Sequence, residues 1–233
     1  MKIRRSNERG YANHGWLDSY HSFSFANYYD PNWMGFSVLR VINEDVVAPS
    51  KGFGTHGHQD MEIITYVLAG ELTHKDSMGN VEQLRAGEVQ RMSAGTGVQH
   101  SEYNASESAP LHLLQIWIEP DQMDLQPSYE DKVFTDAEKH NQWCLLASPD
   151  SQQGSLKVHQ NMALYATKLS ERKALDYALK AKRSAYVQVV QGVVEINGQA
   201  LNTGDVALFE NGELIQINAV EAAELLLFDL PPN

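Results

Sequence analysis

Gly54-Thr55-His56-Gly57-His58-Gln59-Asp60-Met61-Glu62 runs directly into Ile63-Ile64-Thr65-Tyr66-Val67-Leu68-Ala69-Gly70, a pair of histidines followed by an apolar β run. Side chains alternate along a strand with period two, so His56 and His58 share one face with Cα atoms about 7 Å apart. Two imidazoles so placed can converge on one metal ion. A second polar cluster, Gln99-His100-Ser101-Glu102, repeats the i,i+2 relation at the end of another candidate strand. Three imidazoles and a carboxylate make a donor set suited to iron, nickel, copper, manganese or zinc. The competing reading is two unconnected polar clusters on the rim of a β structure.

The surrounding chain reads as short strands. Phe36 to Ile42 is one, broken by Asn43-Glu44-Asp45, and Ser77-Met78-Gly79-Asn80 marks a hairpin. Leu111 to Ile118 alternates, with His112, Leu114, Ile116 and Ile118 on one face and Leu113, Gln115 and Trp117 on the other. No long amphipathic helix interrupts residues 36 to 118, and glycine-bearing turns recur. The pattern predicts an all-β barrel or sandwich. Glu119 to Asp131, with Pro120 and Pro127, reads as a linker or an excursion across the first domain.

A repeat follows. Tyr66 to Gly70, a return strand and Gly87-Glu88-Val89 are matched by Val187 to Gly192, a return strand and Gly204-Asp205-Val206, with Asn197-Gly198 as a type I′ turn in the second copy. Two β domains related by duplication are expected. The histidines are not duplicated, because none occurs between Gly204 and Asn233, so the metal reading belongs to the first copy.

Composition narrows the partners. The 233 residues, 42% hydrophobic, suffice for one large core or two smaller ones, and the formal net charge of -12 disfavours direct nucleic-acid contact and anionic membranes. Charge at the N-terminus is not followed by an apolar segment, so no signal peptide is read and a cytoplasmic location is expected. Cys144, the one cysteine, lies in an apolar run and reads as a buried structural thiol. His159 has no partner at ligand spacing and reads as structural. Two complete β domains make a monomer the expectation.

Three stretches carry a family resemblance: Asn13-His14-Gly15-Trp16-Leu17-Asp18-Ser19-Tyr20-His21-Ser22-Phe23-Ser24-Phe25, then Gly54-Thr55-His56-x-His58-x-x-Met61-Glu62, then Met92-Ser93-Ala94-Gly95-Thr96-Gly97-Val98-Gln99-His100-Ser101-Glu102-Tyr103-Asn104. The chain resembles, over essentially its whole length, the pirin-like bicupins of the cupin superfamily. The resemblance implies two antiparallel β-barrel (jelly-roll) domains, residues 1–130 with the metal site and 131–233 without ligands. It places the ligands at His56, His58, His100 and Glu102 and moves Glu62 behind them; His14 and His21 are candidate outer-pocket groups on their own chemistry, against the reading of hydrogen-bonded surface or rim histidines. The resemblance implies one divalent ion, iron first, with nickel, zinc, copper, manganese or cobalt as alternatives. The implied activity is oxidative opening of the heterocyclic ring of quercetin-like flavonols by O2, releasing carbon monoxide, with Glu102 also able to act as base. A small aromatic substrate and O2 would be the partners. The alternative is a metal-binding regulatory or protein-interaction module without turnover. The sequence departs from the family at Gly57, where proline is usual, and a looser His-x-His segment is expected.

Overall fold

Runs rich in valine, isoleucine and leucine pair into four sheets in the computed structural model, which describes residues Met1 to Asn233. In the first half, a seven-stranded sheet has the order Ser128–Val133, Glu88–Ser93, Glu62–Ala69, Leu111–Ile118, Leu39–Val47, Leu17–His21, Gly10–Asn13. It faces a four-stranded sheet ordered Gly52–His58, Val98–Asn104, Glu71–Asp76, Val81–Arg85. The second half repeats the plan, a seven-stranded sheet against a four-stranded one of Ala174–Ala178, Leu214–Ala219, Val193–Ile196 and Gln199–Asn202. The chain is all-β, two cupin-like domains from duplication. Its one α-helix, Asp136–Lys139, is a single turn closed by a Thr135–Glu138 capping box. No helix is long and apolar enough to cross a membrane.

The expected bicupin of two closed antiparallel β-barrels is corrected here. In neither domain do the hydrogen-bonded ladders join the large sheet to the small one; both sheets keep free edges and the domains are open sandwiches. The corner glycines are the physical reason. Glu62–Ala69 belongs to the large sheet and Glu71–Asp76 to the small one, and the chain changes sheet at Gly70, at φ +85. A Cβ on Gly70 would stand 2.7 Å from the Pro110 carbonyl oxygen, so only glycine lets the chain fold over at this corner. Gly192 does the same between Ser184–Gln191 and Val193–Ile196. The glycines that read as hairpin turns therefore deliver each strand to the opposite sheet, where it pairs with new neighbours.

A second difference concerns Asn43-Glu44-Asp45. The strand does not break there but runs from Leu39 to Val47. Two of these polar groups find partners on neighbouring residues: Glu44 accepts from Arg9 and faces His112, and Asp45 accepts from Ser19. Polarity inside a strand marked an occupied polar interior rather than an end.

The cores show why only one sandwich is polar inside. The second is filled by 16 buried apolar residues, among them Val194, Ile196, Leu201, Ile215 and Ile217 of its small sheet. The first keeps clusters of only 7 and 4, and the space between them is lined by histidines, amides and carboxylates. The largest core, 25 residues, lies between the domains and joins Ile64, Leu114 and Ile116 to Leu164, Tyr186 and Phe228. Each such side chain contributes about 1.5–3 kcal/mol on burial, so this interface ties the two sandwiches together. The N-terminal strand adds to the tie: Lys2–Arg4 pairs with Val206, Ala207 and Leu208 in the second domain's sheet.

Candidate metal centre

Strand register brings the histidines together. Gly52–His58 and Val98–Asn104 run antiparallel with His100 directly opposite His56. The period-two rule then sets His58 on the same face, and the donor atoms of His56, His58 and His100 lie within 4.8 Å of one another. Ring centroids are 4.5 Å apart for His56 and His100, 4.8 Å for His56 and His58, and 4.9 Å for His58 and His100. Trp117 packs edge-on against His58 at 4.8 Å and fixes that ring.

Protonation suits a cation. The Nδ1 of His56 lies 2.8 Å from the Gly54 carbonyl oxygen, to which it donates, so its Nε2 carries a bare lone pair. That Nε2 is 3.1 Å from His100 Nε2, while buried His100 Nδ1 has no partner at all. Two ligands at a right angle on an ion with metal–nitrogen bonds of about 2.1 Å stand about 3 Å apart. Burial, then the neighbouring His100 and His56, lowers His58 to about 4; burial, then His56 and His74, lowers His100 to about 3. Both are neutral near pH 7, the state that ligates. The donor set fits a divalent metal ion.

Glu102 is buried one step away. A register shift between His100 and Glu102 displaces it from the strand of His56 and His58, and it shares a donor group with His100 and His74 instead. Gln90 Nε2 donates to its Oε1 at 2.6 Å and Gln115 Nε2 to its Oε2 at 2.9 Å. The ring of contacts closes: Gln90 also donates to Thr65 Oγ1 at 3.0 Å, Thr65 donates to Gln115 Oε1 at 2.8 Å, and Tyr129 donates to Gln90 Oε1 at 3.1 Å. Thr65 Oγ1 also lies 3.2 Å from Oε1, so Oε2, with Gln115 alone on it, is the oxygen that keeps a lone pair free for a metal or a substrate proton.

Sequence reasoning missed this ring and His74. The signal for His74 was present, since Glu71-Leu72-Thr73-His74-Lys75-Asp76 places His74 and Asp76 at i,i+2 after Gly70. His74 is fully buried, stacked on Tyr129 at 4.6 Å, with Nε2 3.1 Å from Asp76 Oδ2. Burial would raise Asp76, but hydrogen bonds from Asn80 and His74 outweigh it and hold the carboxyl below its ordinary value.

The remaining candidates separate. Glu62 is buried but turned away, its carboxylate accepting from the His159 backbone N–H at 3.2 Å and lying 3.3 Å from His159 Nδ1. His159 thus joins the domains through Glu62. His14 and His21 line a cavity of about 560 Å³ between the sheets that also reaches His56, Glu102, Gln115 and Trp117. Burial, with His14 nearby, lowers His21, and burial pushes the Asp45 carboxyl up to about 7 against its hydrogen bond from Ser19. Cys144 is half-buried rather than enclosed, and burial raises its thiol, the opposite of an activated nucleophile.

Gly57 is not required by its backbone. It lies opposite Gln99 without a left-handed φ, and a Cβ there would meet only the Val98 carbonyl oxygen at 3.8 Å, an ordinary contact. Gly57→Ala should therefore raise stability by about 0.4–1 kcal/mol, through the unfolded chain's lost freedom. Urea denaturation reads this as a higher midpoint, and a lower one would show a need for glycine that the backbone does not reveal.

A cation seat between three imidazoles, in the first of two duplicated β-sandwiches, defines a metal-binding cupin. The pirin profile matches residues 2–118, and one described as the quercetinase C-terminal cupin domain matches 145–230. The chain is 55% identical over 230 residues to the quercetin 2,3-dioxygenase of Escherichia coli (strain K12), across 99% of this chain and 98% of that one. The crystal structure of YhhW from Escherichia coli matches with TM-score 0.96 at 53% identity, covering 100% of this chain and 98% of that one. That of the bacterial pirin YhhW in complex with nickel(II), also from Escherichia coli, matches at 0.95 and 53%, covering 100% and 99%. The chain belongs to the pirin family.

Proposed function

We propose that the protein is a metal-dependent dioxygenase that opens the heterocyclic ring of quercetin-like flavonols with O2, releasing carbon monoxide and a depside. The observation that carries this reading is the convergence of His56, His58 and His100 beside an aromatic-walled cavity that Glu102 also reaches. His56, His58, His100 and Glu102 would hold the ion in the first cupin domain, residues 1–130, while residues 131–233 hold none. Iron(II) is the first metal to load, since imidazole and carboxylate donors suit it; the relative crystallised with nickel(II) makes nickel the second.

Once bound, a divalent ion supplies Lewis acidity, which makes the flavonol 3-hydroxyl a stronger acid. The chain's own residues do the rest. Glu102, held by Gln90 and Gln115, accepts the 3-hydroxyl proton on a free lone pair. Trp16, Phe25, Phe53 and Trp117 give the cavity flat apolar walls that hold planar rings and exclude water from the electron-rich enolate. The electrons that O2 takes come from the substrate, so the residues need supply no reductant.

Protein loaded separately with Fe(II), Ni(II), Mn(II), Co(II), Cu(II) and Zn(II) should consume quercetin, read as loss of its absorbance, with matching carbon monoxide release. Absence of turnover in every metal form overturns the reading, and a partner captured only by metal-loaded protein would then support the regulatory alternative.

A further inference from the structure

The seven-stranded sheet of the first domain carries a polar square on the cavity side that the metal chemistry does not use. Leu17–His21 and Leu39–Val47 pair with Ser19 opposite Asp45 and His21 opposite Asn43. All four side chains are at least nine-tenths buried, and all four line the cavity. The next strand over puts Gln115 opposite Asn43, so the square begins about 5 Å, one strand spacing, from the amide that holds Glu102.

Hydrogen-bond direction within the square follows the charge on Asp45, whose carboxyl is pushed up to about 7 by burial, and is fixed above that pH. With Asp45 ionised, Ser19 gives its single proton to Asp45 Oδ1. Ser19 Oγ must then accept from His21 Nε2, 2.8 Å away, so His21 carries its proton on Nε2 and presents a bare lone pair at Nδ1. That Nδ1 has no partner, nor does Asn43 Oδ1 beside it. A third buried atom without a partner, Trp117 Nε1, belongs to the same cavity and has a proton to give. Two unmatched acceptors and one unmatched donor on side chains that line one cavity are costly unless a ligand toward which those side chains turn answers them. A hydroxyl group both donates and accepts. The second sandwich offers no such set, since apolar residues fill its interior.

We infer that His21, Asn43 and Trp117, with Ser19 and Asp45 fixing the His21 tautomer, form a specificity station that binds phenolic hydroxyls on the substrate ring remote from the metal. The inference rests on the flavonol reading of the same cavity and deepens it: the preferred substrates are polyhydroxylated, and flavonols without outer-ring hydroxyls are poor ones. His21 and Asn43 accept from the remote hydroxyls, and Trp117 donates to one of them. Ser19 and Asp45 are positioning residues, acting through His21.

The test compares quercetin, hydroxylated on both outer rings, with 3-hydroxyflavone, which has no hydroxyl beyond the reacting one. On Fe(II)-loaded protein the quercetin to 3-hydroxyflavone ratio of kcat/KM should fall about tenfold in Asn43→Leu and in His21→Leu, the value of one well-placed hydrogen bond. The change should fall mainly in the KM for quercetin. His21→Gln, which keeps an acceptor, should recover part of the ratio. Bound metal per chain shows that each variant is folded, and an unchanged ratio in folded Asn43→Leu and His21→Leu overturns the station. Binding of the same two flavonols under argon, followed by tryptophan fluorescence, separates the two claims. If the wild type turns over neither compound but binds quercetin more tightly in a way the variants lose, the station stands and the dioxygenase reading falls.

Discussion

His100→Ala should lose stoichiometric metal and lower turnover by at least about 10³-fold, roughly 4 kcal/mol of transition-state stabilisation. His100 belongs to both donor groups, one with His56 and His58 and the other with His74 and Glu102. Its removal therefore separates the imidazole pair from the carboxylate, whereas loss of His58 leaves the two groups joined. His58→Ala should accordingly retain more metal than His100→Ala. The metal-free fold should barely suffer, because the variant also removes a buried Nδ1 without a partner and the crowding of His56 Nε2 at 3.1 Å. Metal analysis, the quercetin assay and a thermal melt of metal-free protein read the three consequences. Undiminished turnover in His100→Ala would remove the basis of the metal assignment.

Glu102→Gln should lower turnover by about 10²- to 10⁴-fold, the range for loss of a positioned general base. It should also destabilise the protein by about 1–3 kcal/mol, although it changes almost no volume. Both carboxylate oxygens accept from amides, Gln90 on one side and Gln115 on the other. A glutamine at position 102 must turn its own NH2 toward one of them, donor against donor. Reversing the polarity of the partner should repair this: in the double variant Glu102→Gln with Gln115→Glu, the new carboxylate accepts from position 102 and still accepts from Thr65. Urea denaturation should find the double variant more stable than Glu102→Gln, while quercetin turnover stays low in both. Equal stability of the single and double variants would show that the amide ring does not hold the carboxylate.

The parts of this site legible in the sequence were those that depend on local spacing. His56 and His58 announce a shared face because a strand has period two, and His100 and Glu102 repeat the cue. Thr65, Gln90 and Gln115 gave no such cue. None of them stands at i,i+2 from another candidate ligand, and they meet only because the register sets Thr65 opposite both Gln115 and Gln90. Register between distant strands has no local signature. For the same reason the partner of Glu62 was invisible, lying 97 residues away across the domain boundary. The corner glycines were plain as turns, but a turn does not state which sheet receives the next strand, and the residues alone left barrel and sandwich open. The resemblance favoured closure, and the free sheet edges overturn it. Asn43-Glu44-Asp45 misled in the other direction, since polar residues can continue a strand when Asn43 and Asp45 line a polar cavity and Glu44 meets Arg9 and His112.

The pairing of Lys2–Arg4 with Val206, Ala207 and Leu208 bears on how the chain is made. Arg5 extends the contact by donating to the Ala200 carbonyl, 195 residues away. Lys2–Arg4 thus has no ladder to join until residues about 200 positions further along the chain have been made. Contacts of such sequence separation slow folding, because loop closure must precede any gain from pairing. Once Val206–Phe209 joins the sheet, its outer edge stands open to strands of neighbouring chains until Lys2–Arg4 pairs with it. A chain cut between the two sandwiches would leave that edge open permanently, so association of the isolated second half, rather than its unfolding, is the failure this topology guards against.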